Sequence, residues 1–280
     1  MAEAEAKVEE SPTVEMTGKL VQYEAAEGVA VLTLNDPPAN TYSYEMMQEL
    51  DRSILAARMD ESVQVIVITG RGDKFFCAGA NIKMLSEVTP TFKYFFCLHA
   101  NETLSRLEQT PKLVIAAIGG HCVGGGLEVA LAADVRVARS GAGKMGLPEV
   151  SLGVLPGTGG TQRLARIVGK SRAIELMATG ELFDFERGLE LGLINHIYEA
   201  AGGAEFMQQV MAYARKFTLP DKAAQAVGRI KRSVQSGAEI PFEYGLALER
   251  EMQQQLFQSE DAREGLEAYV QKRKPQFKGR

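Results

Sequence analysis

Apolar residues in the first 200 positions fall mostly into short runs broken by Gly and Pro. Leu20 to Glu24 and Val29 to Leu34 predict two strands around a turn at Glu27-Gly28, a hairpin. Asn35 to Asn40 contains Pro37 and Pro38 and is irregular, because proline fixes φ and removes a backbone donor. Ser43 predicts a helix cap, and Met46, Met47, Leu50, Ile54 and Leu55 follow at helical spacing to about Asp60. Val63 to Thr69 and Leu113 to Ile118 are continuous apolar runs, the mark of strands buried on both faces, and Val135 to Ala138 is a third strand. Leu85 to Thr110 is irregularly amphipathic and closes at Pro111. Its aromatics Phe92, Tyr94, Phe95 and Phe96 cannot all share one helix face, and the cluster as a whole is expected to pack as core.

Beyond residue 160 the period lengthens. Gln162 to Val168, Ser171 to Ala178 and Phe185 to Leu191 predict helices, punctuated by Gly169 and Gly180, and Gly192 to Ile197 predicts one closing strand. From about Gly203 the pattern is wholly helical: Met207 to Phe217, Asp221 to Ser236, Pro241 to Gln258 and Glu260 to Arg273. Four helices with so little sheet to cover need another surface to bury against, which favours self-association. The chain therefore divides into a flexible acidic tail (1–17), an α/β core (18–202) and a C-terminal helical region (203–280).

Composition narrows the function. At 280 residues and 45% apolar, a sizeable core is available, and a net charge of -5 argues against a general nucleic-acid or anionic-membrane surface. No run approaches the roughly 18 apolar residues of a membrane span. Met1 to Glu15 is acidic, unlike a signal or transit peptide, so a cytoplasmic location is expected. Cys77, Cys97 and Cys122 are odd in number and set among apolar neighbours, as buried thiols in a reducing compartment are, and His99, His121 and His196 lack ligand spacing. No metal site is expected.

Chemistry concentrates between Ile118 and Leu164. The strand ending at Ile118 breaks at Gly119-Gly120, and the triplet Gly124 to Gly126 opens a helical pattern. Glycines there allow close approach of a ligand to free N–H groups at the positive end of the helix dipole. Alone, such a triplet is more often a tight turn than an anion site. One turn on, Glu128 sits among Leu127, Val129, Ala130 and Leu131, and Glu149 lies in the apolar turn Gly146-Leu147-Pro148-Glu149-Val150. Two carboxylates in apolar settings beside an anion-stabilising loop point to proton chemistry. Ala78-Gly79-Ala80 forms a second small-residue turn before a helical stretch.

Gly120 to Ala130, Asp134 and Pro148 to Leu164 together resemble the signature of the crotonase, or enoyl-CoA hydratase, superfamily: G-x-x-x-G-G-G-x-E-[LV]-A…D, then P-E-x-x-L-G-x-x-P-G-x-G-G-T-Q-R-L. The resemblance implies a crotonase-like spiral of repeated strand-strand-helix units with a C-terminal helical region. It implies a lyase that adds water reversibly to a 2-enoyl-CoA, giving a 3-hydroxyacyl-CoA in fatty acid metabolism. Glu149 would give the α proton and Glu128 would position and deprotonate the water. Backbone N–H groups of Ala80 and Gly125 would form the oxyanion hole, and Ala39, Ala78, Asn81, Ile82, Lys83 and Gly124 would contact the acyl-CoA. Coenzyme A would belong to the substrate, with no other cofactor. Asn81 stands where the family usually has Asp, which leaves the main-chain donor intact but removes a carboxylate.

Within the superfamily the pair of acids favours hydratase, while a double-bond isomerase or a ring-opening hydrolase remains an alternative. An RNA-binding member would need a basic surface, and the nearest is Lys272-Arg273-Lys274 with Lys278 and Arg280. A solvated helix end is the commoner explanation of that cluster, and no nucleic acid is expected. Ser259 to Phe277 resembles the family's closing helix, which places Tyr269 and Lys272 at the adenosine phosphate end of coenzyme A or, alternatively, at a merely solvated helix end. The resemblance also implies a homotrimer or a dimer of trimers. Gly125→Ala is expected to crowd the thioester with modest loss of stability.

Overall fold

The computed structural model describes residues 18–280, so the expected N-terminal tail lies outside the described residues. Strands β1 (Val21–Ala26) and β2 (Val29–Leu34) pair antiparallel through the two-residue turn Glu27-Gly28, both at positive φ (52° and 81°). That turn geometry matches the right-handed twist of a hairpin. Helix α1 (Tyr44–Met59) is capped by Ser43, whose hydroxyl accepts the Met46 N–H at 3.3 Å, and it buries Met46, Met47, Leu50 and Ile54.

Three units then repeat one path. Strand β3 (Val65–Gly70) is followed by the short β4 (Phe75–Cys77) and helices α2 (Ile82–Glu87) and α3 (Pro90–Gln109). Strand β5 (Leu113–Ile118) leads to β6 (His121–Val123) and helix α4 (Gly125–Leu131). Strand β7 (Val135–Arg139) leads to β8 (Met145–Gly146), a 3-10 turn (Glu149–Leu152) and helix α5 (Gly160–Val168). The long strands join one sheet, β1-β2-β3-β5-β7, and the short ones join a second, β4-β6-β8. Each unit thus steps from the large sheet to the small one and returns through a helix. This is the expected crotonase spiral. The short strands themselves were not foreseen, because two or three residues carry no periodicity and pair only once the turns have stacked Phe75 on His121 and Cys122 on Met145.

Helices α6 (Lys170–Thr179) and α7 (Phe185–Glu190) follow, and β9 (His196–Tyr198) closes the large sheet beside β7. Alternation along β3 and β5 explains their continuous hydrophobicity. Ile66, Ile68, Val114, Ala116 and Ile118 face α1, α3 and α4 in the main core. Val65, Val67, Ile115 and Ala117 face helix α8 (Gly203–Ala214) through Phe206, Val210 and Ala214. Full burial of such side chains contributes on the order of 1.5–3 kcal/mol each. The helical region expected from residue 203 therefore begins with a helix laid on the sheet, not apart from it.

The remaining helices are α9 (Ala224–Gly237), α10 (Phe242–Phe257) and α11 (Glu260–Gln271). A buried ion pair ties α9 to the core: Lys231 Nζ lies 2.8 Å from Asp134 Oδ2, which also accepts the Val114 N–H at 2.7 Å, while Gln235 donates to Asp134 Oδ1. Asp134, part of the motif, thus fixes the β5–β7 connection to the C-terminal helices.

Two expectations require correction. The Leu85 to Thr110 segment is two helices, because Pro90 opens α3 with Thr89 as its cap. Its aromatic cluster does not pack as a whole: Phe96 is buried with Ala100, Leu104 and Leu107 on one face, whereas Phe92, Tyr94 and Phe95 are exposed. Helix α11 ends at Gln271, so the basic residues lie past its last turn, and Arg273 folds back to pair with Glu264 at 2.6 Å. Cys77 and Cys122 are buried and Cys97 half-buried, all free thiols. Among the described residues, no helix is long and apolar enough to cross a membrane.

Candidate active site

Three turns converge at the carboxyl ends of β4, β6 and β8. Asn40 holds the first: its amide donates to the carbonyls of Arg71 and Phe75 at 3.0 and 2.9 Å, clipping the Asn35–Asn40 loop to the turn before β4. Ala39 contributes its carbonyl to the Ala78 N–H. Tyr42 then bridges Ala80 as in a parallel pair, with Tyr42 N–H donating to Gly79 O and Asn81 N–H donating to Tyr42 O, both at 2.9 Å. In such a bridge the Gly79 carbonyl and the Asn81 N–H that flank Ala80 are used, and the Ala80 N–H faces away. Gly125 is the first residue of α4, where an N–H has no intrahelical acceptor. Among the described residues, no protein group accepts from either Ala80 N–H or Gly125 N–H.

The glycines of this turn are required by space. Gly124 has φ 56°, and a Cβ on it would sit 3.0 Å from Glu149 Oε1. A Cβ on Gly79 would lie 2.9 Å from the Gly125 nitrogen, which shows how closely the two turns approach. A Cβ on Gly126 would meet the Cys77 carbonyl at 2.0 Å.

Both acids line the cavity at these turns, whose volume is about 100 Å³. Glu128 is buried, 2 % exposed, on α4. Its Oε1 accepts the Thr158 and Gly160 N–H groups at 2.8 and 2.7 Å, and its Oε2 accepts the Thr158 hydroxyl. A carboxylate facing only donors is held as an acceptor. Glu149 is half-buried in the 3-10 turn, and its Oε2 is buried without a hydrogen-bond partner. Burial pushes the Glu149 pKa up to about 7, against its own backbone N–H; the nearby Glu128 charge adds to the rise, and the Lys93 ammonium opposes it. One acid is therefore fixed as an acceptor and the other exchanges its proton near neutrality. That pairing suits general acid–base work on a bound molecule.

Of the residues singled out in the sequence, Ala78, Ala80, Ile82, Gly124, Gly125, Glu128 and Glu149 meet at this cavity. Ala39, Asn81, Lys83, Tyr269 and Lys272 do not line it. Asn81 instead caps α2, its side-chain oxygen accepting the Met84 N–H at 3.0 Å. Lys83 is exposed, Tyr269 is 85 % exposed, and Lys272 is the left-handed cap of α11. Sequence reasoning missed Tyr42, Lys93 and Thr158, which also line the cavity. Thr158 occupied an unspecified position of a motif, and nothing in the local pattern marked Tyr42 or Lys93.

A profile of the enoyl-CoA hydratase/isomerase family matches residues 24–280. A probable enoyl-CoA hydratase of Bacillus subtilis is 40% identical over 252 residues, covering 90% of this chain and 95% of that protein. The short-chain-enoyl-CoA hydratase of Clostridium acetobutylicum is 36% identical, with 90% and 95% covered. The crystal structure of an enoyl-CoA hydratase from Geobacillus kaustophilus superposes with a TM-score of 0.90 at 42% identity, covering 94% of this chain and 98% of that one. This chain belongs to the enoyl-CoA hydratase/isomerase family. It is an enzyme of hydratase-like, lyase activity.

Proposed function

We propose that this site hydrates a short 2-enoyl-CoA thioester to the 3-hydroxyacyl-CoA, with Glu149 as the acid and Glu128 as the base. The observation that carries the reading is the pairing in one small cavity of a donor-bound Glu128 with a Glu149 titrating at about 7. The thioester oxygen takes the unspent Ala80 and Gly125 N–H groups, an interaction worth roughly 3–4 kcal/mol per donor as enolate charge develops. A water held between the acids loses a proton to Glu128 as its oxygen bonds to the β carbon. The α carbon receives the proton of Glu149. Dehydration reverses every step. The small cavity and the name of the Clostridium relative support a short acyl group. Ala39, Ala78, Asn81, Ile82, Lys83 and Gly124 belong to this reading as acyl-CoA contacts. So do a role in fatty acid metabolism and a cytoplasmic location.

The protonation states give a test that both directions must pass together. Hydration needs Glu149 protonated, so kcat/KM for crotonyl-CoA should fall as pH rises through about 7. Dehydration of 3-hydroxybutyryl-CoA starts with the same single proton on the pair of acids, and because the overall reaction neither takes up nor releases a proton, its kcat/KM should fall over the same range. Product analysis with crotonyl-CoA and pH–rate profiles in both directions check this. A profile flat through neutral pH would remove Glu149 as the acid.

The reading extends to the nucleotide end of the substrate and to assembly. Ile230 and Val234 of α9, Phe242 and Tyr244 of α10 and Val270 of α11 are large apolar side chains in the open, which supports a homotrimer or a dimer of trimers. In such an assembly Tyr269 and Lys272 would serve the adenosine phosphate of a bound CoA. Lys272→Ala should then raise KM for a CoA thioester more than it lowers kcat, with the loss shrinking at high salt. The same substitution should not affect a pantetheine thioester. Equal losses on both would return this helix end to a structural role.

A further inference from the structure

Glu128 is the inner end of a buried hydrogen-bond chain. Its Oε2 accepts the Thr158 hydroxyl, and the Thr158 oxygen lies 3.1 Å from the Tyr42 hydroxyl. Thr158 has a single hydroxyl proton, which is committed to the carboxylate, so Tyr42 donates and Thr158 accepts. Burial, followed by the charge of Glu128, raises the Tyr42 pKa well above its ordinary value, which keeps that phenolic proton in place. Tyr42 and Thr158 are each 2 % exposed.

Both ends of the chain are anchored from outside it. The Tyr42 ring packs against Phe96 with centroids 6.0 Å apart, and its backbone forms the bridge that turns the Ala80 N–H. The loop bearing Thr158 is held by Asn101, which donates to Gly157 O at 3.4 Å. Arg163 donates to Thr158 O at 3.3 Å while pairing with Glu108 at 2.9 Å. Two fixed backbone donors on Oε1 and one hydroxyl on Oε2 leave the carboxyl group of Glu128 a single orientation.

We propose that Tyr42, acting through Thr158, is a positioning residue for Glu128 and thereby for the attacking water, while the α-proton step at Glu149 does not depend on it. Each link in the chain polarises the next, so the hydroxyl of Tyr42 strengthens the bond that Thr158 makes to the carboxylate. The proposal rests on the hydratase reading.

The test compares wild type with Tyr42→Phe, Thr158→Val and Thr158→Ser in two assays. One is steady-state hydration of crotonyl-CoA. The other is exchange of the α protons of butyryl-CoA in deuterium oxide, a reaction that needs the oxyanion donors and Glu149 but adds no water. Tyr42→Phe, which keeps the ring, should lower kcat for hydration about 3- to 10-fold, the range of a neutral hydrogen bond. Thr158→Val should lower it about 10- to 100-fold, as for a bond to a charged group. KM and the exchange rate should stay near wild type, and Thr158→Ser should recover most of the turnover.

Hydration at the wild-type rate by Tyr42→Phe would overturn the proposal. So would a parallel loss of exchange and hydration, which would mean that the whole pocket had shifted. If Thr158→Val does not fold, Tyr42→Phe and Thr158→Ser still decide the matter. A wild type that leaves crotonyl-CoA and a panel of longer and branched 2-enoyl-CoA thioesters unchanged overturns the hydratase reading, and this proposal with it. An active wild type with an unaffected Tyr42→Phe overturns this proposal alone.

Discussion

Glu149→Gln and Glu128→Gln should each lower kcat for crotonyl-CoA hydration by about 10²- to 10⁴-fold, the range for losing a positioned acid or base. Both folds should survive, because each change keeps the side chain's size. At position 128 the amide oxygen can still accept the Thr158 and Gly160 N–H groups that hold Oε1 at 2.8 and 2.7 Å. The amide nitrogen then faces the Thr158 hydroxyl, which can turn to accept from it. At position 149 one carboxyl oxygen already lacks a partner, so the amide disturbs little that is made. KM should change far less than kcat, the mark of a group acting in the transition state. The two variants separate on α-proton exchange, which should disappear in Glu149→Gln and persist in Glu128→Gln. Equal losses would mean that the roles are shared, and wild-type hydration in either variant would remove that residue from the mechanism.

Gly125→Ala should lower hydration about 10²- to 10³-fold, as when one oxyanion donor is lost, although the N–H itself remains. The methyl group would arrive 2.1 Å from the Tyr42 hydroxyl and 2.6 Å from two ring carbons. That ring is buried against Phe96 and cannot swing clear. The start of α4 must therefore shift, carrying the Gly125 N–H off its aim and loosening the Tyr42 contact with Thr158. Overpacking of this kind costs about 1–3 kcal/mol, so the stability loss exceeds the modest one that the sequence suggested. Denaturation midpoints and kcat, measured together on Gly125→Ala and Gly125→Val, check both parts. Unchanged turnover in Gly125→Val would reduce the glycine triplet to a turn.

The sequence alone determined the elements that carry their own signal. The continuous apolar runs of the long strands, the cap at Ser43, the glycine triplet and the two glutamates in apolar settings were legible because backbone propensity and burial act locally. The spiral followed from the resemblance, and the strand-strand-helix repeat agreed with it. Contacts between segments far apart in sequence were decided by the tertiary structure alone. The strands β4, β6 and β8 exist only through pairing with one another. The fate of the aromatic cluster depended on which face of α3 met the core, and α8 lay on the sheet because β3 and β5 had a second apolar face to cover. At the site, neighbouring residues could place Glu128 in an apolar helix but could not reveal its three donors, which arrive from a loop 30 residues away. Nor could they reveal Tyr42, which lies 116 residues from the threonine it bonds. An acid's character is set by what surrounds it in space. The chain therefore placed Glu128 and Glu149 in apolar settings, and folding set one as a fixed acceptor and the other as a carboxyl that titrates near neutrality.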